Sequence, residues 1–439
     1  MSEWKKVKIG AFLKQYRNTI YVDDAQQYRQ VTISSKDGVK YRCTKIGKEI
    51  GRKRQFLIDL KKYPNTVIFT RQGLHEGSIG LAPEEVDGCI ATENMPMFSV
   101  DDTVIDTQYL KNLLRSPIFA NLVSTLTPTG SAQKSIHERD LLPLEISIPD
   151  LETQKKIVKE ISSQLEKTEQ LSSEIEKQKS YAKQLRQNIL QEAIEGKLTA
   201  DWRKQHPIQK GNPDYDAEAL FDKIQAEKSR TKNSPKTVAP ITEDDIPFEI
   251  PTNWKWVRLG EIINLLSGRD FEPTEYNDKQ EGIPYITGAS NIGENGIIIN
   301  RWTKTPKCIA KYGDLLLVCK GSGYGTLAYA DFEQAHIARQ IMSITSFSKY
   351  ISLKYIEFIL RANFLYLKTQ GKGLIPGIDR DTVLNIFVGL PPLAEQKEIV
   401  ARVEQHLQTV TQLETQIATR ETTTKQLMQS ILKNAFEEK

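Results

Sequence analysis

Two stretches of this chain share one rhythm of apolar and polar positions. In the first, the rhythm falls on Val158, Ile161, Leu165, Thr168, Leu171, Ile175, Gln178, Ala182, Leu185 and Ile189. In the second it falls on Val400, Val403, Leu407, Val410, Leu413, Ile417, Arg420, Thr424, Leu427 and Ile431. Steps of three and four predict a long helix with one narrow apolar stripe, a coiled-coil seam with a single three-residue slip. Intervening Gln, Glu, Lys and Thr make the outer faces polar. Pro149 and Pro391–Pro392 mark the starts, where a missing amide costs nothing. About 45 residues at 1.5 Å each predict rods of roughly 65 Å. A helix so long and so narrowly apolar needs a partner, either its own copy in the same chain or a second chain. Antiparallel packing on its own copy predicts a pseudo-twofold molecule with a domain at each end of the rod.

The two stretches are copies. Residues 149–197 align with 391–439 without a gap at a constant offset of 242. Gln154/Gln396, Ile157/Ile399, Leu165/Leu407, Leu185/Leu427 and Ala193/Ala435 are among the identical pairs. The similarity resumes upstream, where WKKVKIG (4–10) matches WKWVRLG (254–260), and SIHERDLL echoes GIDRDTVL just before each rod. Between these markers the halves diverge into short β-rich runs with Gly and Asn turns. NTVIFT (65–70) and MFSV (97–100) serve in the first, PYITG (284–288), GIIIN (296–300) and DLLLVC (314–319) in the second. The plan is α+β with an internal repeat: a mixed, β-rich variable domain over 1–149, a long helix over 150–199, a second variable domain over 251–390 and a second helix over 391–439. Residues 200–250 read as a polar, lysine-rich linker with one short helix at 216–229.

Composition narrows the class. The 439 residues are 39% hydrophobic, without an apolar run long enough for a membrane span or a signal-peptide core, so a cytoplasmic protein is expected. Cys43, Cys89, Cys308 and Cys319 are far apart and suggest neither disulfides nor zinc. A net charge of +4 permits a nucleic-acid partner without requiring one.

The order of parts resembles the specificity subunit of a type I restriction-modification system. The residues that carry the resemblance are L-x-x-Q-K-x-I-V at 151–158 and 393–400, K-Q-L-x-Q-x-I-L-x-x-A at 183–193 and 425–435, and the lead-in PFEIPTNWKWVRLGEI at 247–262. It covers essentially the whole chain. It implies two target-recognition domains, each reading one half of a split double-stranded DNA site, separated by two antiparallel coiled-coil helices. It also implies docking of two methyltransferase subunits and a restriction subunit. The chain itself would be non-catalytic, with S-adenosylmethionine, Mg and ATP on its partners. Val158, Leu165, Leu171, Ile175, Leu185 and Ile189, with Val400, Leu407, Leu413, Ile417, Leu427 and Ile431, are the expected packing positions.

Motifs that imitate catalysis fail on context. GSGYG (321–325) could pass for a cofactor loop, but a strand-like TLAYADF follows it where a helix is needed. NPDY (212–215) has Asp214 where an adenine methyltransferase has proline, and it lies in the linker. No P-loop or metal cluster is evident. DNA contacts call for Lys, Arg and amide side chains on loops. Residues 36–62 carry ten basic and three acidic residues, centred on Arg52, Lys53 and Arg54. Glycine loops leave two strands at equivalent places and offer Arg71 and Gln72 in one domain, Lys320, Ser322 and Tyr324 in the other. A second pair of loops offers Lys134 and Lys372. Arg339 and Gln340 form a further base-reading pair unless HIARQIM is an interior strand. Two other function classes stay open on sequence alone, a fused methyltransferase and a coiled-coil adaptor that binds only protein. The specificity subunit of another restriction class is a third, closer alternative.

Overall fold

The computed structural model describes residues 4–35, 37–129, 134–230, 241–293, 296–321, 323–363 and 377–437. The chain forms two compact units, 1–178 with 417–439, and 179–416. The architecture is α+β, with mixed sheets and two 44-residue helices, Leu151–Ile194 and Leu393–Phe436. At 1.5 Å per residue each helix is about 65 Å long.

In the first unit, Lys5–Lys8 pairs with Glu145–Ile148 as a two-stranded ribbon. A four-stranded antiparallel sheet has the order Leu13–Tyr16, Met97–Val100, Val67–Phe69, Ile79–Leu81. Its inner strand Val67–Phe69 is buried throughout, as a short uninterrupted apolar run should be. A five-stranded sheet runs Gly38–Ile46, Gln27–Ser34, Ile90–Ala91, Arg54–Leu57, Thr19–Tyr21, with one parallel contact between Gln27–Ser34 and Ile90–Ala91.

The second unit repeats this plan with different residues. Lys255–Arg258 pairs with Phe387–Leu390. Ile263–Ser267, Ile341–Ser346, Leu315–Val318 and Leu327–Tyr329 make the antiparallel sheet in the same chain order. Trp302–Thr303, Ile283–Ile286, Gln334–Ile337 and Ile309–Lys311 make the other, again with one parallel contact, between Ile283–Ile286 and Gln334–Ile337. The fold is thus duplicated where the sequence has diverged.

Within each unit the two long helices meet antiparallel. In the first, Ile161 and Leu165 near the start of one helix share a core with Leu432 and Phe436 at the end of the other. In the second, Ile189 and Ala193 at the end of one share a core with Ile399 and Val403 at the start of the other. The seam differs from the expected one. Buried positions run Ile161, Leu165, Thr168, Ile175, Ala182 and Ile189, in strict steps of seven after Thr168. Leu171, Leu185, Leu413 and Leu427, expected in the seam, are between 40% and 48% exposed. A two-helix rod buries only the strip facing the other helix, and these leucines stand about 40 to 60° round from it. Val158, Val400, Leu407 and Ile431 pack at the edges of the cores, Leu165, Ile175 and Ile189 are buried, and Ile417 is half-buried.

The duplicated glutamine of the helix-opening motif has one structural job in both copies. Buried Gln154 donates to Pro149 O (2.8 Å) and accepts from the amide of Asp106 (2.7 Å), the N-cap of helix Thr107–Leu114. Buried Gln396 donates to Pro391 O (3.1 Å) and accepts from the amide of Ser352 (3.0 Å), the N-cap of helix Leu353–Ala362. Each glutamine therefore joins the start of a rod to the start of the helix before it.

Much of the expected linker is folded. Helix Ala217–Ser229 buries Leu220 and Ile224 in the core of the second unit. NPDY caps the second rod, because Pro213 O and Asp214 O accept from the amides of Leu393 (3.1 Å) and Ala394 (3.2 Å). Residues 231–240 lie outside the described residues.

Candidate nucleic-acid interface

In the first unit the candidate residues separate into two roles. Arg52, Arg54 and Arg71 line one cleft of about 210 Å³, together with Gln15, Tyr16, Arg17, Phe56, Glu93, Asn94 and Pro96. Buried Phe56 and Pro96 underlie it. Tyr16 is held there by stacking on Tyr63 (3.8 Å between centroids) and by an O–H hydrogen bond with Thr66 (2.8 Å). The rim is charged. Glu93 lies 3.3 Å from Arg54 Nη1 and 3.9 Å from Arg52 Nη1.

Arg71, expected as a DNA contact, lines the cleft but is also held in an ion pair. Its guanidinium forks onto Glu138, with Nε–Oε2 at 3.0 Å and Nη2–Oε1 at 2.8 Å, and Gln15 Nε2 donates to the same carboxylate. Burial raises the Glu138 pKa, but the Arg71 hydrogen bonds and charge outweigh it and bring the carboxyl down to about 2. Arg71 is thus a pin between the strand Val67–Phe69 and the segment before the first rod. Lys53 is held too. Between the two arginines of the cleft, it pairs with Asp24 and donates to Gly47 O (3.0 Å). Gln72 and Lys134 are exposed on neighbouring segments, since Ile136, two residues past Lys134, donates its amide to Arg71 O (2.8 Å).

In the second unit, HIARQIM is not one interior strand. Strands Gln334–Ile337 and Ile341–Ser346 flank a turn that carries Arg339 and Gln340. Arg339 Nε lies 2.6 Å from Asp270 Oδ2, and Gln340, with its amide oriented to suit its neighbours, donates to Asp270 Oδ1 and Thr287 O, both at 3.1 Å. Exposed Lys320 is adjacent, because the Cys319 amide donates to Gln340 O at 2.7 Å. Leu315–Val318 and Leu327–Tyr329 pair antiparallel, as do Val67–Phe69 and Ile79–Leu81 on either side of 71–78 in the first unit. Tyr324 was expected to face DNA but packs its ring against the core. Ser322 and Lys372 lie outside the described residues.

The two turns occupy equivalent places. Arg71 donates its amide to Asn94 O (3.0 Å) just as Cys319 does to Gln340 O. Glu93–Asn94 therefore answers to Arg339–Gln340. Sequence reading missed Gln15, Arg17, Glu93, Asn94 and Asp270. The available signal was their position at strand ends that the basic runs face, which needs the strand order to be known.

Residues 251–420 match the family described as Type I restriction modification DNA specificity domain. The chain is 26% identical over 251 residues to the type I restriction enzyme EcoEI specificity subunit of Escherichia coli, covering 53% of this chain and 41% of that protein. It is 24% identical over 358 residues to the EcoDI specificity subunit of Escherichia coli, covering 77% of this chain and 71% of the relative. A chain solved in work on complex assembly and conformational transition of the type I R-M system shares the fold, with a TM-score of 0.62, 21% identity, and coverage of 99% of this chain and 97% of that one. Residues 251–420 thus match a type I restriction modification DNA specificity domain, and over most of its length the chain is similar to type I restriction enzyme specificity subunits.

Proposed function

We propose that this chain selects the DNA on which a type I restriction-modification complex acts. Each unit reads one half of a split duplex site, and the paired helices set the distance between the halves. The observation that carries this reading is the pair of equivalent turns on a duplicated scaffold, Glu93–Asn94 and Arg339–Gln340, whose side chains differ while their backbone bonds agree. Loops on a rigid frame suit sequence readout, and Arg and amide side chains suit base edges. The chain supplies no chemistry; S-adenosylmethionine, Mg and ATP belong to two methyltransferase subunits and a restriction subunit, in the cytoplasm. Exposed Leu171 and Leu427 in the first unit, and Leu185 and Leu413 in the second, offer those subunits an apolar hold.

The test is methylome sequencing of cells carrying the chain with its methyltransferase. A split motif is expected, with half-site centres about one helical turn apart. Exchanging the first variable segment for one from a relative should change one half and leave the other intact. A protein-only adaptor would instead give no motif and no pair of separated footprints, and a DNA affinity that does not fall with salt.

A further inference from the structure

We infer that the first unit reads a G·C base pair through the Arg54–Glu93 pair at the mouth of its cleft, with Arg52 beside it. This deepens the proposed function and rests on it. The cleft is built before DNA arrives, since stacking and a hydroxyl bond hold Tyr16, while Phe56 and Pro96 are buried beneath the rim. Arg71 and Gln15 are spent on Glu138. Glu93, by contrast, is part-exposed and meets two exposed arginines at 3.3 and 3.9 Å, so this ion pair lies where a ligand can reach it.

The chemistry selects the ligand. In the major groove guanine presents two acceptors, N7 and O6, and the cytosine paired with it presents the N4 amino donor. A guanidinium over guanine and a carboxylate over cytosine satisfy all three without separating Arg54 from Glu93. Against an A·T pair in either direction the same two groups meet a mismatch. With the guanidinium over adenine, the N6 amino group opposes its N–H donors and thymine O4 opposes Glu93. Reversed, the carboxylate gains N6 but also faces N7, and the guanidinium finds only one acceptor, O4. The second unit carries the same device with its signs exchanged. Arg339 stands at the turn position of Glu93, and Asp270 replies at 2.6 Å from a neighbouring segment. Each half-site is therefore assigned one G·C pair.

The test is the methylome of cells carrying the full chain with its methyltransferase, for the wild type and for Arg54→Lys, Arg54→Ala and Glu93→Gln. All three variants should relax one and the same G·C position, by about 5- to 150-fold in preference for that base pair, and leave the other half unchanged. Asp270→Asn and Arg339→Lys should relax a G·C position in the other half alone. Retention of the wild-type preference in Arg54→Lys, with weaker methylation at every site in Arg54→Ala, would identify Arg54 as a phosphate contact and overturn the assignment. So would a wild-type motif without G·C in either half, or an unchanged motif in Glu93→Gln. A wild-type chain that yields no split motif would instead refute the DNA-specificity reading beneath it.

Discussion

Glu395 shows how one buried carboxylate can gather a whole neighbourhood. It accepts from Trp254 Nε1 (2.9 Å) and Asn253 Nδ2 (3.1 Å) on one oxygen, and from Thr199 Oγ1 (2.7 Å) and Arg203 Nη1 (2.5 Å) on the other. Replacing it by alanine strands an indole N–H and a guanidinium, so Glu395→Ala should cost about 3 kcal/mol in urea unfolding of the chain. Glu138 makes a pH prediction. Its pKa is lowered from 4.5 to about 2 in the folded state, so its stabilising contribution is present above about pH 4.5 and is lost as pH falls toward 2. Glu138→Gln should lower the melting temperature at pH 7 and flatten its decline between pH 4.5 and 2, read by thermal melts across that range. Single residues were the least legible level of this molecule. Arg71 looked like a DNA contact because it follows a strand in a glycine loop, and nothing local announces a carboxylate 67 residues away.

At the level of elements, periodicity foretold both long helices and the resemblance implied their antiparallel pairing, but neither told which residues touch. The three-and-four rhythm predicts a seam through every leucine, whereas the middle of the rod keeps a seven-residue interval on Thr168, Ile175, Ala182 and Ile189. Alongside it, polar residues face each other, Arg186 to Glu414 at 2.8 Å and Arg420 to Gln178 at 3.0 Å. Ile175→Glu should therefore destabilise the chain by several kcal/mol, since it buries a charge at a site only 2% exposed. Leu171→Glu, four residues earlier, should stay within about 0.5 kcal/mol. Denaturant midpoints of the two variants check the register directly. The motif glutamines were visible as a repeat, while their role as a clasp on the preceding helix needed tertiary structure.

For the whole molecule, the repeat announced itself in 49 matched residues, yet the deeper duplication lies in the sheets. Their shared strand order left little trace in sequence, because partners far apart in the chain keep pairing while their side chains change. The short helix within the expected linker was legible from its apolar spacing. Its burial was not, because it shares a core with residues far away on both sides in the chain and bonds to Gly260 and Glu261, more than thirty residues downstream. If the rods set half-site spacing, adding one heptad to each at matched positions lengthens them by about 10 Å. That is near three base-pair steps of 3.4 Å, and the seam survives because the insertion is a whole repeat. The methylated motif should then gain about three spacer positions with both halves unaltered.

The pin beneath the first cleft also bears on how reading modules are exchanged. Position 138 holds a glutamate clasped by Arg71 and Gln15, whereas its repeat counterpart is Arg380, which donates to Leu265 O at 2.5 Å and Ser267 Oγ at 3.4 Å. A splice placed between residues 15 and 138 that joined the two halves of this chain would marry one module's backbone to a foreign anchor of opposite sign. Grafts between relatives should travel as one cassette that ends beyond Glu138 or Arg380, with its own anchor aboard.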